Sequence, residues 1–326
     1  MALFNANLMI KEARLAKGLT QEQLAEGICS RETIVKLEKG DRKPSRFVYR
    51  EILHRLGLEQ FYYQGIGAES LGSEGELAVA QASNRLGNLT AADDDDGIKA
   101  ELDTIDSEIE KGSAVGKVWL SPFGYRVFLE AKANFYCYGK YENPELAVKY
   151  AVEYLKLARP DFEIDKIQDY FLATHEVSTL NALAIAYVKL DGPVRALEIM
   201  QKTKQSIEKN YHGHKNLRLE HTYKVLIGNI ITGLNKAGQY EACLDLANEC
   251  LDNSMFGGDV LFQQQCLNCK AKALMHLGQK AEGEELYKKV LLASYGLDGY
   301  GGINFAEGKK YYEDTFGGEL DLSVEW

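Results

Sequence analysis

The sequence is poor in proline, the residue that interrupts helices most strongly, and has no segment that fits a membrane. Only five of its 326 residues are prolines, and no run of alternating β-branched residues is long enough for a sheet. No apolar run reaches the length of a membrane span, and residues 1–9 lack the pattern of a signal peptide. We therefore expect an all-α, cytoplasmic protein with no membrane partner.

Motifs for catalysis, nucleotides and metals are incomplete. Residues 59–72 contain several glycines, but Ser70 occupies the third glycine position of G-x-G-x-x-G. Asp93 to Asp96 lack the alternating ligand spacing of a calcium loop, so we predict a solvated loop there. His212, His214 and His221 have no neighbouring cysteine or fixed carboxylate pattern, which favours exposed histidines. We expect no enzymatic activity, no cofactor and no metal.

The cysteines are dispersed, and most fall on apolar faces of predicted helices. This placement suits reduced, buried thiols in a cytoplasm. Cys266 and Cys269 form a C-x-x-C, but the second ligand pair of a zinc site and the βαβ context of a thioredoxin-like site are both missing. We predict structural packing for this motif, with metal or redox chemistry as the alternative. The six cysteines are Cys29, Cys137, Cys243, Cys250, Cys266 and Cys269.

The charge is divided unevenly along the chain. Residues 1–60 contain 11 Lys or Arg and 8 Asp or Glu, which gives +3, whereas the whole chain carries −10 and the remainder therefore −13. Phosphate would repel the acidic remainder, so only the N-terminal segment can be a nucleic-acid surface. Because +3 is modest, one copy should bind weakly, and this favours a dimer that reads two half-sites.

Short helical patterns joined by tight turns occupy Lys11 to Ser45 and predict a helix-turn-helix. Thr20 and Gln23 make a capping box, Ser30 is a second N-cap, and Gly18 and Gly40 end helices. The predicted helices are Asn7–Lys17, Gln21–Gly27, Arg31–Lys39 and a fourth that begins after Ser45. Their predicted core is Leu8, Ile10, Ala13, Leu15, Leu24, Ala25, Ile34, Leu37, Val48, Ile52, Leu53 and Leu56.

The third helix is the predicted recognition helix, because its polar residues point away from Ile34 and Leu37. The first residues of such a helix meet base edges in the major groove, while flanking cations and amides contact phosphates. An ordinary helical bundle with a solvated polar face is the alternative. The predicted DNA-binding residues are Gln21, Ser30, Arg31, Glu32, Thr33, Lys36, Arg42, Lys43 and Arg46.

The segment GLTQEQLA, the N-capped third helix, LEKG and the Pro–Ser start of the next helix resemble the Xre/Cro-type DNA-binding domain. Most members have one more residue between the positions of Ala25 and Ile34. The short EGICSRET found here resembles the peptide-responsive regulators of the Rgg/PlcR/NprR type, the RRNPP group of Gram-positive bacteria. The resemblance is specific over Leu8 to Leu58, and it implies a short secreted peptide, re-imported into the cell, as effector.

The remainder shows repeated helix pairs with the residue spacing of a tetratricopeptide repeat. The clearest copy is Leu180, Leu183, Ala184, Tyr187 and Ala196. Further copies begin near Leu129, Ile227 and Leu267, residues 74–111 form a degenerate pair, and Ile303 to Phe316 is a capping helix. Such pairs stack into a right-handed TPR-like solenoid whose first helices line a concave groove.

Asparagine amides suit a peptide-binding groove, because they both donate to and accept from a peptide backbone. The spacing places Asn181 and Asn268 on the groove wall, with Asn134 and Asn229 nearby in register. An interhelical or surface hydrogen bond is the alternative for each. His175, Lys189, Tyr223 and Gln265 are further candidates for the lining.

The sequence thus predicts a homodimeric, cytoplasmic transcription regulator that binds double-stranded DNA and, by resemblance, a short signalling peptide in quorum sensing. Residues 1–60 would be the DNA-binding domain, 61–72 a linker, and 73–326 the repeat domain for peptide binding and dimerisation. One alternative is a phage or mobile-element-type repressor whose repeats bind a protein partner. Another is a TPR interaction scaffold with a vestigial DNA-binding unit.

Overall fold

The structure is a computed structural model that describes residues 10–11, 13–15, 17–41, 44–56, 74–120, 122–210, 217–252, 259–295 and 305–317. The chain divides into two compact units, Met1–Thr222 and Tyr223–Trp326. Every regular element in the described ranges is helical, which confirms the all-α prediction. None of these helices combines the length and apolar character that crossing a membrane requires.

The first unit begins with a small helical bundle. Helix α1 is described at residues 10–11 and 13–15, and α2 (Gln21–Ala25), α3 (Arg31–Lys39) and α4 (Arg46–Leu56) follow. The predicted caps are present, because Thr20 and Gln23 form a capping box and Ser30 Oγ accepts the amide hydrogen of Thr33. Gly40 ends α3 at φ 80°, a left-handed conformation that glycine adopts without strain.

Two details of this bundle differ from the prediction. Leu15 is 57% exposed, while the neighbouring Arg14 is buried and pairs with Glu38 at 2.5 Å. The apolar periodicity of α1 predicts a buried leucine and an exposed arginine. The reverse occurs because Arg14 is paired with Glu38, and an arginine is buried only when it is paired. Helix α2 ends at Ala25 instead of Gly27, because Gly27 takes φ 70° and turns the chain towards α3.

Helix pairs fill the rest of the first unit. The predicted degenerate pair is α5 (Glu74–Ala91) with α6 (Asp95–Glu110), followed by the short α7 (Ala114–Trp119). The next elements are α8 (Pro122–Tyr136), α9 (Pro144–Ala158), a 3₁₀ turn (Ile164–Asp169), α10 (Thr174–Leu190) and α11 (Pro193–Asn210). Helices α8 and α9 match the predicted copy near Leu129, and α10 and α11 match the copy near Leu180.

The acidic run at Asp93 to Asp96 is not a loop, contrary to the prediction. Asp94 Oδ1 accepts the amide hydrogen of Gly97 as an N-cap, and Asp95 and Asp96 form the first turn of α6. Carboxylates at this position are stabilised by the positive end of the helix dipole. Asp96 also binds Lys140 Nζ at 2.8 Å and accepts a hydrogen bond from the Tyr141 hydroxyl at 2.6 Å.

The second unit contains most of α12 (Leu217–Lys236) together with α13 (Tyr240–Asp252), α14 (Val260–His276), α15 (Lys280–Tyr295) and α16 (Phe305–Phe316). These helices match the predicted copies near Ile227 and Leu267 and the predicted capping helix. Tyr312 of α16 is buried against Tyr287 and Leu291 of α15, with Phe316 packed beside them. The C-x-x-C lies inside α14, and both of its cysteines are buried, as predicted.

Candidate nucleic-acid interface

The exposed face of α3 carries the predicted base-reading residues. Ile34 and Leu37 are buried in the bundle, with 0% and 1% exposure, so α3 has a fixed orientation. Arg31, Glu32 and Lys36 are exposed on the other side, and Thr33 and Val35 are half-buried. An exposed polar face on an N-capped helix with a firmly buried opposite face is the geometry that a recognition helix needs to enter the major groove.

Contacts with neighbouring residues determine which side chains on the exposed face of α3 are available to DNA. Arg31 Nε lies 2.7 Å from Glu22 of α2, and both side chains are more than 60% exposed, so the pair contributes little to stability and can open for DNA. Ser30 and Thr33 share a hydroxyl contact of 3.0 Å at the start of α3. Lys36 stays exposed one turn further along.

Gln21 is turned towards the protein. Its Nε2 donates to Glu38 Oε2 at 2.9 Å, and Arg14 Nε binds the other carboxylate oxygen of Glu38. Burial by itself raises the pKa of Glu38, but the hydrogen bonds from Arg14 and Gln21 outweigh it and leave the pKa below its ordinary value. This buried contact ties α1, α2 and α3 together. The Gln21 backbone at the start of α2 is the part that remains available for a phosphate.

The remaining predicted phosphate contacts fall at the end of this region. Arg42 and Lys43 lie outside the described residues, and Arg46 is the first residue of α4, with its side chain outside the description. Their contacts with DNA stay predictions.

The bundle is docked on the helices that follow it within the first unit. Arg126 of α8 donates to the carbonyl oxygens of Gly27 and Ile28 at 2.7 and 3.2 Å, which fixes the turn between α2 and α3. Ala173, just before α10, belongs to the apolar core of the bundle. The turn of the helix-turn-helix is therefore held by the repeat helices, whereas Arg31, Glu32 and Lys36 of α3 stay exposed.

A buried ionic network strengthens this contact. Arg159, which follows α9, binds Glu26 of the turn and also Glu176 of α10 at 3.2 Å. Glu176 has 0% exposure, and its Oε2 accepts the amide hydrogen of Ala173 at 2.7 Å. Arg55 of α4 lies 4.5 Å above the Phe171 ring and donates to the Glu26 carbonyl oxygen. Arginine suits this position because its fork of donors satisfies several acceptors at once.

His175 joins α4 to α8. Its Nδ1 lies 2.6 Å from Glu130 of α8, and its Nε2 lies 3.4 Å from Glu51 of α4. Burial by itself lowers the pKa of His175, but the two carboxylates outweigh it and raise the pKa to about 9. His175 therefore carries a positive charge at neutral pH and bridges two carboxylates. Its side chain is only 16% exposed within this contact, and its place in a peptide groove stays a prediction.

Gly27 is required at the docking point for two reasons. Its φ is 70°, and a Cβ there would lie 2.2 Å from Glu176 Oε2, which Arg159 and the Ala173 amide hold in place. We expect Gly27→Ala to lower the free energy of unfolding by roughly 2–3 kcal/mol, from left-handed strain plus displacement of Glu176.

Gly192→Ala is the matched control, because Gly192 has φ 81° and a Cβ added there would meet no atom of the described residues within 4 Å. It should lose only about 1–2 kcal/mol, the cost of the left-handed conformation. Equal losses for the two variants in urea denaturation would show that the close approach to Glu176 is unimportant.

The predicted groove asparagines lie on the expected helices, but they differ in their contacts. Asn134 Nδ2 donates to the Glu130 carbonyl oxygen on its own helix at 2.9 Å. Asn181 of α10 is half-buried, as are Asn229 of α12 and Asn268 of α14. Asn268 Oδ1 is buried and accepts no hydrogen bond from the described residues, so this amide has unused acceptor capacity. Peptide binding by these residues stays a prediction.

Comparisons with known proteins support a helix-turn-helix domain at this position. A family model described as Helix-turn-helix matches residues 10–59. Over 52 residues, the chain is 46% identical to an uncharacterized HTH-type transcriptional regulator of Methanothermobacter thermautotrophicus. The matched segment covers 75% of that relative and 16% of this chain. The helix-turn-helix fold, with an exposed polar face on α3, defines a DNA-binding protein. The chain belongs to the helix-turn-helix family of transcription regulators.

Two solved structures are similar along most of the chain. One is Bacillus thuringiensis PlcR in complex with the peptide PapR7 and DNA, at 19% identity and a TM-score of 0.47, with coverage of 94% of this chain and 97% of that chain. The other is the apo form of the competence regulator ComR from Streptococcus vestibularis, at 14% identity and a TM-score of 0.48, with coverage of 95% and 97%.

Proposed function

We propose that this transcription regulator adjusts its DNA binding in response to a short signalling peptide held by its repeat helices, as in quorum sensing. The observation that carries the proposal is the docking of the DNA-binding bundle on the repeat region. Arg126 and Arg159 bind the turn between α2 and α3, and His175 contacts Glu51 of α4. A change in α8, α9 or α10 would therefore move the recognition helix. The EGICSRET turn, which resembles peptide-responsive regulators, supports the same effector class.

The proposed organisation keeps residues 1–60 as the DNA-binding domain, 61–72 as a linker and 73–326 as the repeat domain. A homodimer in the cytoplasm would place two recognition helices on two half-sites, and the modest charge of one domain supports this arrangement. A peptide would shift the relative placement of the two bundles and so their fit to the half-site spacing. Asn134, Asn181, Asn229 and Asn268 are the proposed peptide-backbone contacts.

DNA binding is tested with the full-length protein and fragments of the genome that encodes it, retained at moderate salt. We expect enrichment of one two-fold-symmetric site. Arg31→Ala combined with Lys36→Ala should abolish this enrichment, because each base or phosphate contact contributes about 1–3 kcal/mol, while thermal unfolding stays unchanged for these exposed residues.

Lys166→Ala combined with Lys209→Ala is the control, since both lysines are exposed and both lie in the repeat region. It should leave the enrichment intact. Retention of bulk DNA without a preferred site, with the same salt sensitivity in both double variants, would contradict sequence-specific recognition by α3.

A further inference from the structure

The segment that connects α9 to α10, residues 159–173, contacts the DNA-binding bundle at both of its ends. Arg159 at its start binds Glu26 in the turn between α2 and α3, and Ala173 at its end belongs to the apolar core of the bundle. The middle of this connecting segment is the 3₁₀ turn, whose Ile167 is completely buried. Whatever fixes the connecting segment therefore also affects the position of the bundle.

The far end of the connecting segment folds back onto Arg159. Arg159 Nη2 donates to the Phe171 carbonyl oxygen at 3.2 Å, and its guanidinium carbon lies 4.5 Å from the centre of the Tyr170 ring. Arg55 Nη2 of α4 donates to the same carbonyl oxygen at 3.5 Å. Tyr170 and Phe171 therefore orient the guanidinium that binds Glu26.

Helix α11 holds the peptide unit next to these contacts. Ser206 Oγ donates to the Tyr170 carbonyl oxygen at 2.6 Å, and Asn210 Nδ2 donates to the same oxygen at 3.1 Å. Ser206 has 0% exposure, so bulk water does not replace its hydrogen bond. Because peptide bonds are planar, only the two backbone dihedrals of Phe171 separate this carbonyl from the one that binds Arg159. Loss of the two donors would therefore displace the Phe171 carbonyl and Arg159 with it.

We propose that Ser206 and Asn210 are positioning residues for DNA binding, which act through the connecting segment and Arg159 on the turn of the helix-turn-helix. Glu176 of α10 binds Arg159 directly at 3.2 Å, so both helices of one repeat pair, α10 and α11, converge on the same guanidinium. A displacement of this pair shifts Arg159, then Glu26, and then the start of α3. The inference rests on the DNA-binding part of the proposed function and is independent of the peptide.

The first test measures hydrogen exchange by mass spectrometry in full-length protein that carries Ser206→Ala and Asn210→Ala. Amide hydrogens of the turn are bonded to the carbonyl oxygens of Glu22 and Ala25, so their exchange reports opening of the turn. We expect roughly 2- to 30-fold faster exchange in a peptide that contains residues 26–29. Faster exchange confined to the connecting segment would overturn the proposal, because the two donors would then stabilise that segment alone.

Asn210→Ala by itself serves as a milder variant, since it leaves the buried Ser206 hydroxyl in place. It keeps the test decisive where the double variant does not fold. The same turn peptide should exchange faster than in the wild type, by a smaller factor than in the double variant. Wild-type exchange of the turn in a folded Asn210→Ala protein would count against the proposal.

The second test measures the affinity of these variants for the site that the wild type enriches. The double variant should change this affinity by roughly 2- to 30-fold, although every side chain of α3 is unaltered. Glu26→Ala removes the acceptor through which Arg159 holds the turn. Addition of the double substitution to Glu26→Ala should therefore change the affinity by less than about twofold. Independent, multiplicative effects would contradict a path through Arg159.

Lys202→Ala is the matched control, because it removes another contact between α11 and the connecting segment. Lys202 Nζ lies 3.2 Å from Asp165 Oδ1, but Asp165 is 73% exposed, so the ion pair contributes little. The control should leave turn exchange and operator affinity unchanged, and equal effects in the control and the double variant would refute the specific role of Ser206 and Asn210. The exchange test needs no DNA, so it decides this inference separately from the proposed function.

Discussion

Replacement of Arg159 by alanine is expected to lower the free energy of unfolding by about 3–5 kcal/mol, because it leaves a buried carboxylate without its partner. Arg159 is 6% exposed and Glu176 is 0% exposed, so bulk water does not solvate this ion pair in the folded protein. The same substitution also releases Glu26 in the turn of the helix-turn-helix. Urea denaturation followed by far-ultraviolet circular dichroism measures the loss.

Arg85→Ala is the matched control for this prediction. Arg85 also forms a two-pronged contact with a carboxylate, Glu101, but its side chain is 54% exposed. An exposed pair of this kind contributes about 0–1 kcal/mol. A comparable loss in both variants would mean that Arg159 acts as an ordinary surface residue. Arg159→Met combined with Glu176→Gln should recover part of the loss, since no unpaired charge stays buried.

The stability of the protein is expected to fall as the pH rises from 6.5 to 9, because of His175. The carboxylates of Glu130 and Glu51 raise its pKa in the folded state to about 9, against an ordinary value of 6.5. The folded protein therefore binds this proton more tightly than the unfolded chain, so the stabilisation is complete below pH 6.5 and is lost through pH 9. The full shift corresponds to about 3 kcal/mol.

The measurement compares urea midpoints of the wild type and His175→Gln across this pH range. Arg126 and Tyr154 also line the pocket around His175, and both remain in the variant, so the difference between the two curves reports the imidazole together with its effect on Glu51 and Glu130. The wild-type midpoint should decline with pH, while the variant should be lower at pH 6.5 and nearly flat. Parallel curves would show that His175 is not charged in the folded protein.

The helices of the DNA-binding bundle were predictable because short-range signals agree there. The capping box at Thr20, the N-cap at Ser30 and the glycine at Gly40 each mark a helix end through contacts within a few residues. The start of α2 and both ends of α3 follow directly from these signals. The repeat pairs were predictable for a similar reason, since the periodic large and small residues on each helix determine which faces pack.

The docking contact was not predictable, because its residues are far apart in the sequence. Arg126, Arg159 and Glu176 belong to three different helices or their ends, and they meet the bundle at Glu26 and Gly27. One available signal is Glu176, the only acidic residue of α10, a helix in which most residues are apolar. An isolated carboxylate on a buried helix needs a cation, but the sequence does not say which one.

Operator affinity, measured with and without a pooled library of short synthetic peptides, tests whether a peptide controls DNA binding. We predict that at least one peptide changes the affinity of the wild-type protein for its enriched site by about 5–150-fold, the range of a coupling of about 1–3 kcal/mol. An affinity and an oligomeric state that no peptide alters would contradict peptide control and would direct the search for an effector to protein partners of the repeat helices.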